Sequence, residues 1–279
     1  MDNILITGGK GQLGTELSKL LPNALLTDIN ELDITNKDAV DKFVKKHKIE
    51  TIINCAAYTN VDKAEDDNKV ATSINVIGPT NLASTGCKMI HISTDYVFDG
   101  MQYKPYTTED KTHPLSVYGK TKRLGEEAVL MHSNKAIIIR TAWLYSPYGN
   151  NFVKTMLRLG QEKKEINVVS DQVGSPTYAA DLAKAIVQIL PHMEQYKNRI
   201  YHFTNEGICS WYDFAYQIMK ESHLKCQVNP IPTELFPTKA KRPSYSVLDK
   251  SAIKRDFGIQ IPHWQDGLQR CLKQMEKVR

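Results

Sequence analysis

The chain has 279 residues, 41% hydrophobic and 24% charged, which suits one large globular α/β domain or two lobes. Its net charge is +5, and acids interrupt nearly every basic stretch. The densest run, KFVKKHK at 42–48, reads as the polar face of a helix, so nucleic-acid binding is not expected. No apolar run approaches the ~20 residues that cross a bilayer, and Met1-Asp2-Asn3 leads into ILIT without a signal-type segment.

The five cysteines are widely spaced and form no C-x-x-C. Free thiols in a reducing cytoplasm are expected rather than disulfides or zinc. The histidines show no H-x-x-x-H spacing, so no metal site is expected.

In chain order, NILIT (3–7) predicts a strand, residues 8–14 a glycine loop, and QLGTELSKLL a helix. ALLTD (24–28) predicts a second strand, NKDAVDKFVKKH (36–47) an amphipathic helix, and TIINCAA (51–57) a buried strand. A helix over ATSINVIGPTNLAS (71–84) follows. MIHISTDYVF (89–98) and AIIIRTAWLY (136–145) are predicted strands flanking a helix that carries YGKTK (118–122). Strands alternating with helices imply a doubly wound parallel sheet, whose ligands bind at the carboxyl ends of its strands.

Beyond residue 148 the pattern loosens. FVKTMLRLGQE, YAADLAKAIVQILPHM and SWYDFAYQIMKES predict helices, and Ser210 with Asp213 approaches a capping box. NPIPTELFP (229–237) reads as surface loop. The expected organisation is a Rossmann-type domain over 1–148 and 178–204. A smaller C-terminal lobe for substrate would comprise 149–177 and 205–279.

The loop GGKGQLG satisfies G-x-G-x-x-G through Gly9, Gly11 and Gly14, and G-x-x-G-x-x-G through Gly8, Gly11 and Gly14. It follows a strand and opens a helix, the context a dinucleotide-binding loop requires. Glycine lets the backbone approach a pyrophosphate, which the helix N-terminus stabilises. Asp28 ends the next strand, placed to accept hydrogen bonds from a ribose diol. That favours NADH. Lys10 could reach a 2′-phosphate instead, so NADPH stays open.

Hydride transfer to a ketone leaves an alkoxide that needs a proton. Tyr118 and Lys122 share one helix face, and a nearby ammonium favours the phenolate, which would bring the phenol's pKa down toward a useful range. A hydroxyl from STD (93–95) could hold the reacting oxygen.

The glycine loop, S-T-D and Y-x-x-x-K in this order resemble the extended short-chain dehydrogenase/reductases. Within them the chain is similar to the dTDP-4-dehydrorhamnose reductase family. The resemblance spans TGGKGQLG, AAYTNVDKAE, INVIGPTNLA, HISTDYVFDG, YGKTKRLGEE, RTAWLYSPYGNNFV, DQVGSPTYAADLA, SWYDFAYQI and RPSYSVLD. It implies an NADH- or NADPH-dependent oxidoreductase acting on a dTDP-sugar for cell-surface polysaccharide, as monomer or homodimer. By resemblance, Tyr118 is the proton donor, Lys122 binds the nicotinamide ribose, and Thr94 holds the reacting oxygen with Asp95 beside the sugar. Gly11, Gln12 and Leu13 touch the pyrophosphate, Asp33 and Ile34 border the adenine, and Ala57, Tyr58 and Thr59 line the cofactor. Trp143 packs on the sugar, and Asn151 and Arg242 lie on the nucleotide side.

One departure concerns metal. Some members hold Mg²⁺ between subunits through acids following SPT; here Tyr178-Ala179-Ala180 follow Pro176-Thr177, and Glu16 alone cannot make that site. Two rivals are weighed. Related 4,6-dehydratases carry Asp-Glu after the catalytic threonine, whereas Asp95 precedes Tyr96; epimerases differ in needing no added reductant. A non-catalytic regulatory subunit of methionine adenosyltransferase shares the fold, but Tyr118 and Lys122 are both present.

Overall fold

The computed structural model describes residues 3–278. Its frame is a six-stranded, all-parallel sheet in the order β10-β5-β4-β3-β1-β2. The first half runs β1 (Ile4–Thr7), α1 (Gln12–Leu20), β2 (Leu25–Thr27), α2 (Lys37–His47), β3 (Thr51–Asn54), α3 (Val61–Ala64), α4 (Asn68–Thr72), α5 (Gly78–Ala83), β4 (Lys88–Thr94), α6 (Val117–His132) and β5 (Ala136–Thr141). Every residue of β3 and β5 is buried, as expected of strands covered on both faces. The neighbouring chain order β1-β3 and β1-β2 puts the reversal of strand order beside β1, so the glycine loop opens at a switch point.

The predicted helix over 71–84 is two helices, α4 and α5, joined by a π turn at Ser73–Ile77. Pro79 has no N–H for the Asn75 carbonyl, and that oxygen presses toward α6, where a Cβ on Gly125 would lie only 2.1 Å from it. The freed carbonyl and the bare glycine bring the helix carrying YGKTK close.

The second half runs β6 (Leu144–Tyr145), α7 (Phe152–Glu162), β7 (Glu165–Val169), β8 (Val173–Gly174), β9 (Thr177–Tyr178), α8 (Ala179–Ile189), β10 (Arg199–His202), β11 (Cys209–Ser210), α9 (Trp211–Glu221), β12 (Gln227–Ile231), α10 (Ser251–Phe257) and α11 (Trp264–Val278). The Ser210–Asp213 capping box is complete. One core packs Leu13 and Leu17 of α1 and Leu182 and Ile186 of α8 on the sheet, joined by Ile253 of α10. A separate core gathers Val153, Met156, Phe214, Ile218, Val228 and Leu268.

Three expectations are corrected. Residues 229–231 are not loop: they belong to β12, paired in parallel with β7. Pro230 is tolerated because the β12–β7 pair stands alone and leaves β12 a free edge. The strand predicted to reach Phe98 stops at Thr94, whose hydroxyl accepts from the Tyr96 N–H and turns the chain. The strand predicted over 136–145 breaks after Thr141, and Trp143 takes a left-handed backbone at φ 49°.

Candidate active site

A cavity of about 770 Å³ runs along the carboxyl ends of the strands, from the glycine loop and Asp28 past Ala57 to Thr94, Tyr118, Lys122 and Trp143. At one end the walls are backbone. Gly8 sits at φ +67°, and a Cβ on Gly14 would lie 2.3 Å from the Gly8 carbonyl oxygen, so the turn closes only without side chains. Helix α1 begins at Gln12, with Gly11 at its N-cap and no side-chain cap, and Gly11, Gln12 and Leu13 line the cavity. First-turn N–H groups left without a cap suit a pyrophosphate, so these residues fit a dinucleotide.

Asp28 lines the same end, and its carboxylate accepts from the backbone N–H groups of Lys10 and Ile29. The Lys10 ammonium pairs with Glu31 at 2.8 Å on the surface. Asp33, Ile34, Ala57 and Thr59 line the cavity.

The opposite end is built of buried side chains. Lys122 is buried and donates to the Ile92 carbonyl at 2.6 Å. Burial pulls its pKa down to about 8, against the countering pull of Glu126 one turn on and of Cys55. Glu126 is itself clamped by Arg140 through two hydrogen bonds. Tyr118 is part-exposed along the cavity wall, but its enclosure among protein atoms pushes the phenol's pKa up, against the opposing pull of a hydrogen bond with Thr94. This corrects the expected Tyr118–Lys122 coupling. The ammonium donates to the Ile92 carbonyl, and desolvation decides the direction of the phenol's shift. A phenol held neutral is a proton donor, which is the form reduction consumes.

Thr94 donates to Asp95 Oδ1 at 3.0 Å. Asp95 is buried, which raises its pKa to about 6 against the hydrogen bonds of Thr94 and Ser246. Its Oδ2 is buried without a full hydrogen-bond partner among the described residues.

The remaining expected residues sit around the cavity rather than on it. The Tyr58 phenol turns away and donates to Asp67, while its backbone is held by Asn75. Asn151 caps α7 and donates to Gln12 Oε1 at 3.0 Å, at the glycine-loop end of the cavity. Arg242 donates to the Tyr96 hydroxyl at 2.9 Å and to Asp62 at 2.6 Å. Tyr96 lines the cavity and meets the Tyr118 ring edge-on at 5.4 Å.

Sequence reasoning missed Tyr96, Asn75 and Cys55. Asn75 ties the 57–59 segment to α6 by accepting from Tyr58 N and donating to Thr121 Oγ1; its only sequence signal was Pro79 four residues on. Among the described residues no group of three or more His, Cys, Asp or Glu could hold a metal. Asp181 is engaged by both Arg270 Nη atoms, and Glu16 by Lys19.

Residues 1–277 match the family described as RmlD substrate binding domain. The chain belongs to this family. It is 46% identical to a dTDP-4-dehydrorhamnose reductase of Aggregatibacter actinomycetemcomitans, over 96% of this chain and 97% of that one. It is 42% identical to the spore coat polysaccharide biosynthesis protein SpsK of Bacillus subtilis, with 98% of each covered. Among solved structures, a Bacillus anthracis dTDP-4-dehydrorhamnose reductase in complex with NADP superimposes with a TM-score of 0.93 at 42% identity, covering 98% of this chain and 100% of that one. A dTDP-glucose 4,6-dehydratase of Streptomyces venezuelae, 17% identical with a TM-score of 0.84 and covering 99% of this chain and 98% of that one, shares the fold.

Proposed function

We propose that this chain reduces the 4-keto group of dTDP-4-dehydro-β-L-rhamnose with NADPH or NADH, giving dTDP-L-rhamnose for cell-surface polysaccharide. The observation that carries the reading is the placement of Thr94, Tyr118 and Lys122 on one cavity with a glycine loop at its other end. Family membership supplies the substrate class, and the Bacillus anthracis relative was solved with NADP. On the side facing a 2′-phosphate, Lys10 is available once Glu31 yields it.

When bound, the nicotinamide supplies the hydride. Thr94 holds the ketone oxygen, and Tyr118 delivers the proton that oxygen needs. Lys122, anchored on Ile92, presents its remaining N–H groups to ribose hydroxyls. Asp95 lies beside the sugar at the cavity wall. Arg242 holds the diphosphate, and Gly8, Gly11, Gln12 and Leu13 hold the dinucleotide. Residues 1–148 and 178–204 are assigned to the cofactor domain and 149–177 and 205–279 to the substrate lobe, within which Ile253 and Ile259 pack back onto the core of the cofactor domain. The protein works in the cytoplasm as a monomer or homodimer; among the described residues no helix is long and apolar enough to cross a membrane.

A second reading has its own support: a Streptomyces niveus relative, 37% identical, is a dTDP-4-keto-6-deoxy-D-glucose reductase. The test supplies dTDP-4-dehydro-β-L-rhamnose or dTDP-4-keto-6-deoxy-D-glucose with each reduced cofactor and follows nicotinamide absorbance. Faster oxidation with the first substrate is expected; no oxidation with it would remove the leading reading.

A further inference from the structure

Trp143 occupies a backbone conformation that bulky residues avoid, φ 49°. Its indole forms part of the cavity wall that also holds Thr94 and Tyr118. Such a conformation persists only where its surroundings over-determine it, and two contacts do so. The Trp143 ring stacks on Trp211, the first residue of α9, with centroids 3.5 Å apart and planes at 11°. Trp211 is braced in turn by Phe152, the first residue of α7, at 4.6 Å. The second contact is a gap in the chemistry of β8. A Cβ on Gly174 would lie 2.8 and 2.9 Å from Trp143 Cε2 and Cζ2, and 2.7 Å from Ser246 Oγ. Only glycine admits the ring there. Trp143 follows the sheet's β5, whereas Trp211, Phe152 and Gly174 come from the segments around the second core.

We infer that Trp211 and Gly174 are positioning residues for the sugar: they fix the Trp143 indole as a rigid apolar wall against which the carbon–hydrogen face of the hexose is registered over Thr94 and Tyr118. The inference rests on the nucleotide-sugar reading above for the identity of the ligand. An aromatic ring held by a partner ring contributes a flat surface without further ordering on binding. Neither positioning residue is assigned contact with the reacting atoms. Their effect is therefore on where the sugar sits.

The test uses the full-length protein with Trp211→Ala, Trp211→Phe and Gly174→Ala. Three measurements are made: kcat and KM for the dTDP-sugar, NADPH affinity, and far-ultraviolet circular dichroism, where closely stacked indoles give an exciton couplet. Trp211→Ala is expected to raise KM for the sugar nucleotide by about tenfold, with NADPH affinity close to wild type. Trp211→Phe should recover most of that KM, since a ring still stacks, while abolishing the couplet. Gly174→Ala should raise KM in the same direction and weaken the couplet, because the added methyl displaces the indole. If Trp211→Ala folds and keeps the wild-type KM, or if Gly174→Ala leaves both couplet and KM unchanged, the inference is overturned. Should Trp211→Ala not fold, the phenylalanine and Gly174 variants decide. If the wild type turns over no dTDP-sugar, the substrate reading fails instead, and loss of the couplet in Gly174→Ala still reports whether the brace holds Trp143.

Discussion

The two ends of the cavity are made of different material. The glycine-loop end is backbone: its critical atoms are a carbonyl, a run of N–H groups and the Cβ atoms that are missing. The Tyr118 end is buried side chain, and desolvation leads the shifts of Tyr118, Lys122 and Asp95. A backbone surface tolerates most changes of chemistry nearby but no added atom at its closest approach. A desolvated cluster is most sensitive to the loss of one polar group, which leaves its buried partner unsatisfied. Cofactor binding and proton delivery should therefore fail under different substitutions.

The largest effect is expected at the chemical end. Tyr118→Phe should lower kcat by ~10²–10⁴ with cofactor affinity nearly intact, read from steady-state kinetics beside a fluorescence titration of NADPH. Near-normal turnover would mean that the proton comes from another group. Gly14→Ala is the mirror experiment. The methyl meets the Gly8 oxygen at 2.3 Å, so NADPH affinity should fall by about tenfold or more while kcat at saturating cofactor changes little. A variant with wild-type NADPH affinity would end the claim that the loop is a backbone cradle.

A pH profile joins the two ends through Lys122. Its folded pKa is depressed to about 8, so the ammonium is charged below that pH and is lost as pH rises through it. kcat/KM for the cofactor should fall across that window, and Lys122→Ala should be both weaker and flat there; a wild-type profile that stays level to pH 9 or so would leave Lys122 without this role. A smaller effect is expected at Arg242. The stretch from Lys220 to Asp256 carries eight Lys or Arg against four Asp or Glu, but Arg242 alone of these reaches Tyr96 at the cavity. Arg242→Lys should raise KM for the nucleotide sugar several-fold and weaken inhibition by dTDP in parallel, because an ammonium cannot reproduce paired guanidinium hydrogen bonds. Identical dTDP inhibition constants would remove Arg242 from the diphosphate. The smallest change is expected for Asp28→Ala, a rise in KM for NADH exceeding that for NADPH; equal rises would make Asp28 a loop-holding residue only.

Much of the sheet was legible because its signals are local. Short apolar cores at Ile52-Ile53 and Ala136–Ile139, punctuated by helical periodicity, leave few alternatives to buried parallel strands. The glycine spacing was legible for the same reason. What escaped depended on contacts distant in sequence. Pro230 argued for loop, and only pairing with residues 165–169 makes a strand of it. Helical spacing placed Lys122 on the face of Tyr118 but carried no information on the Ile92 carbonyl, thirty positions away, that takes its ammonium. The aromatic environment of Tyr118 and the stacked partner of Trp143 likewise come from other elements.

The position of β10 at the sheet's edge has a consequence for synthesis. β5 is complete at Thr141, yet the strand that covers its outer edge is residues 199–202, and the helix that shares the apolar face of α1 begins at Ala179. A nascent chain thus presents an uncovered, largely apolar strand edge while about sixty further residues are translated. An uncovered edge of this kind is a template for pairing with another chain. A chain released from a ribosome stalled in that interval would carry this edge uncovered.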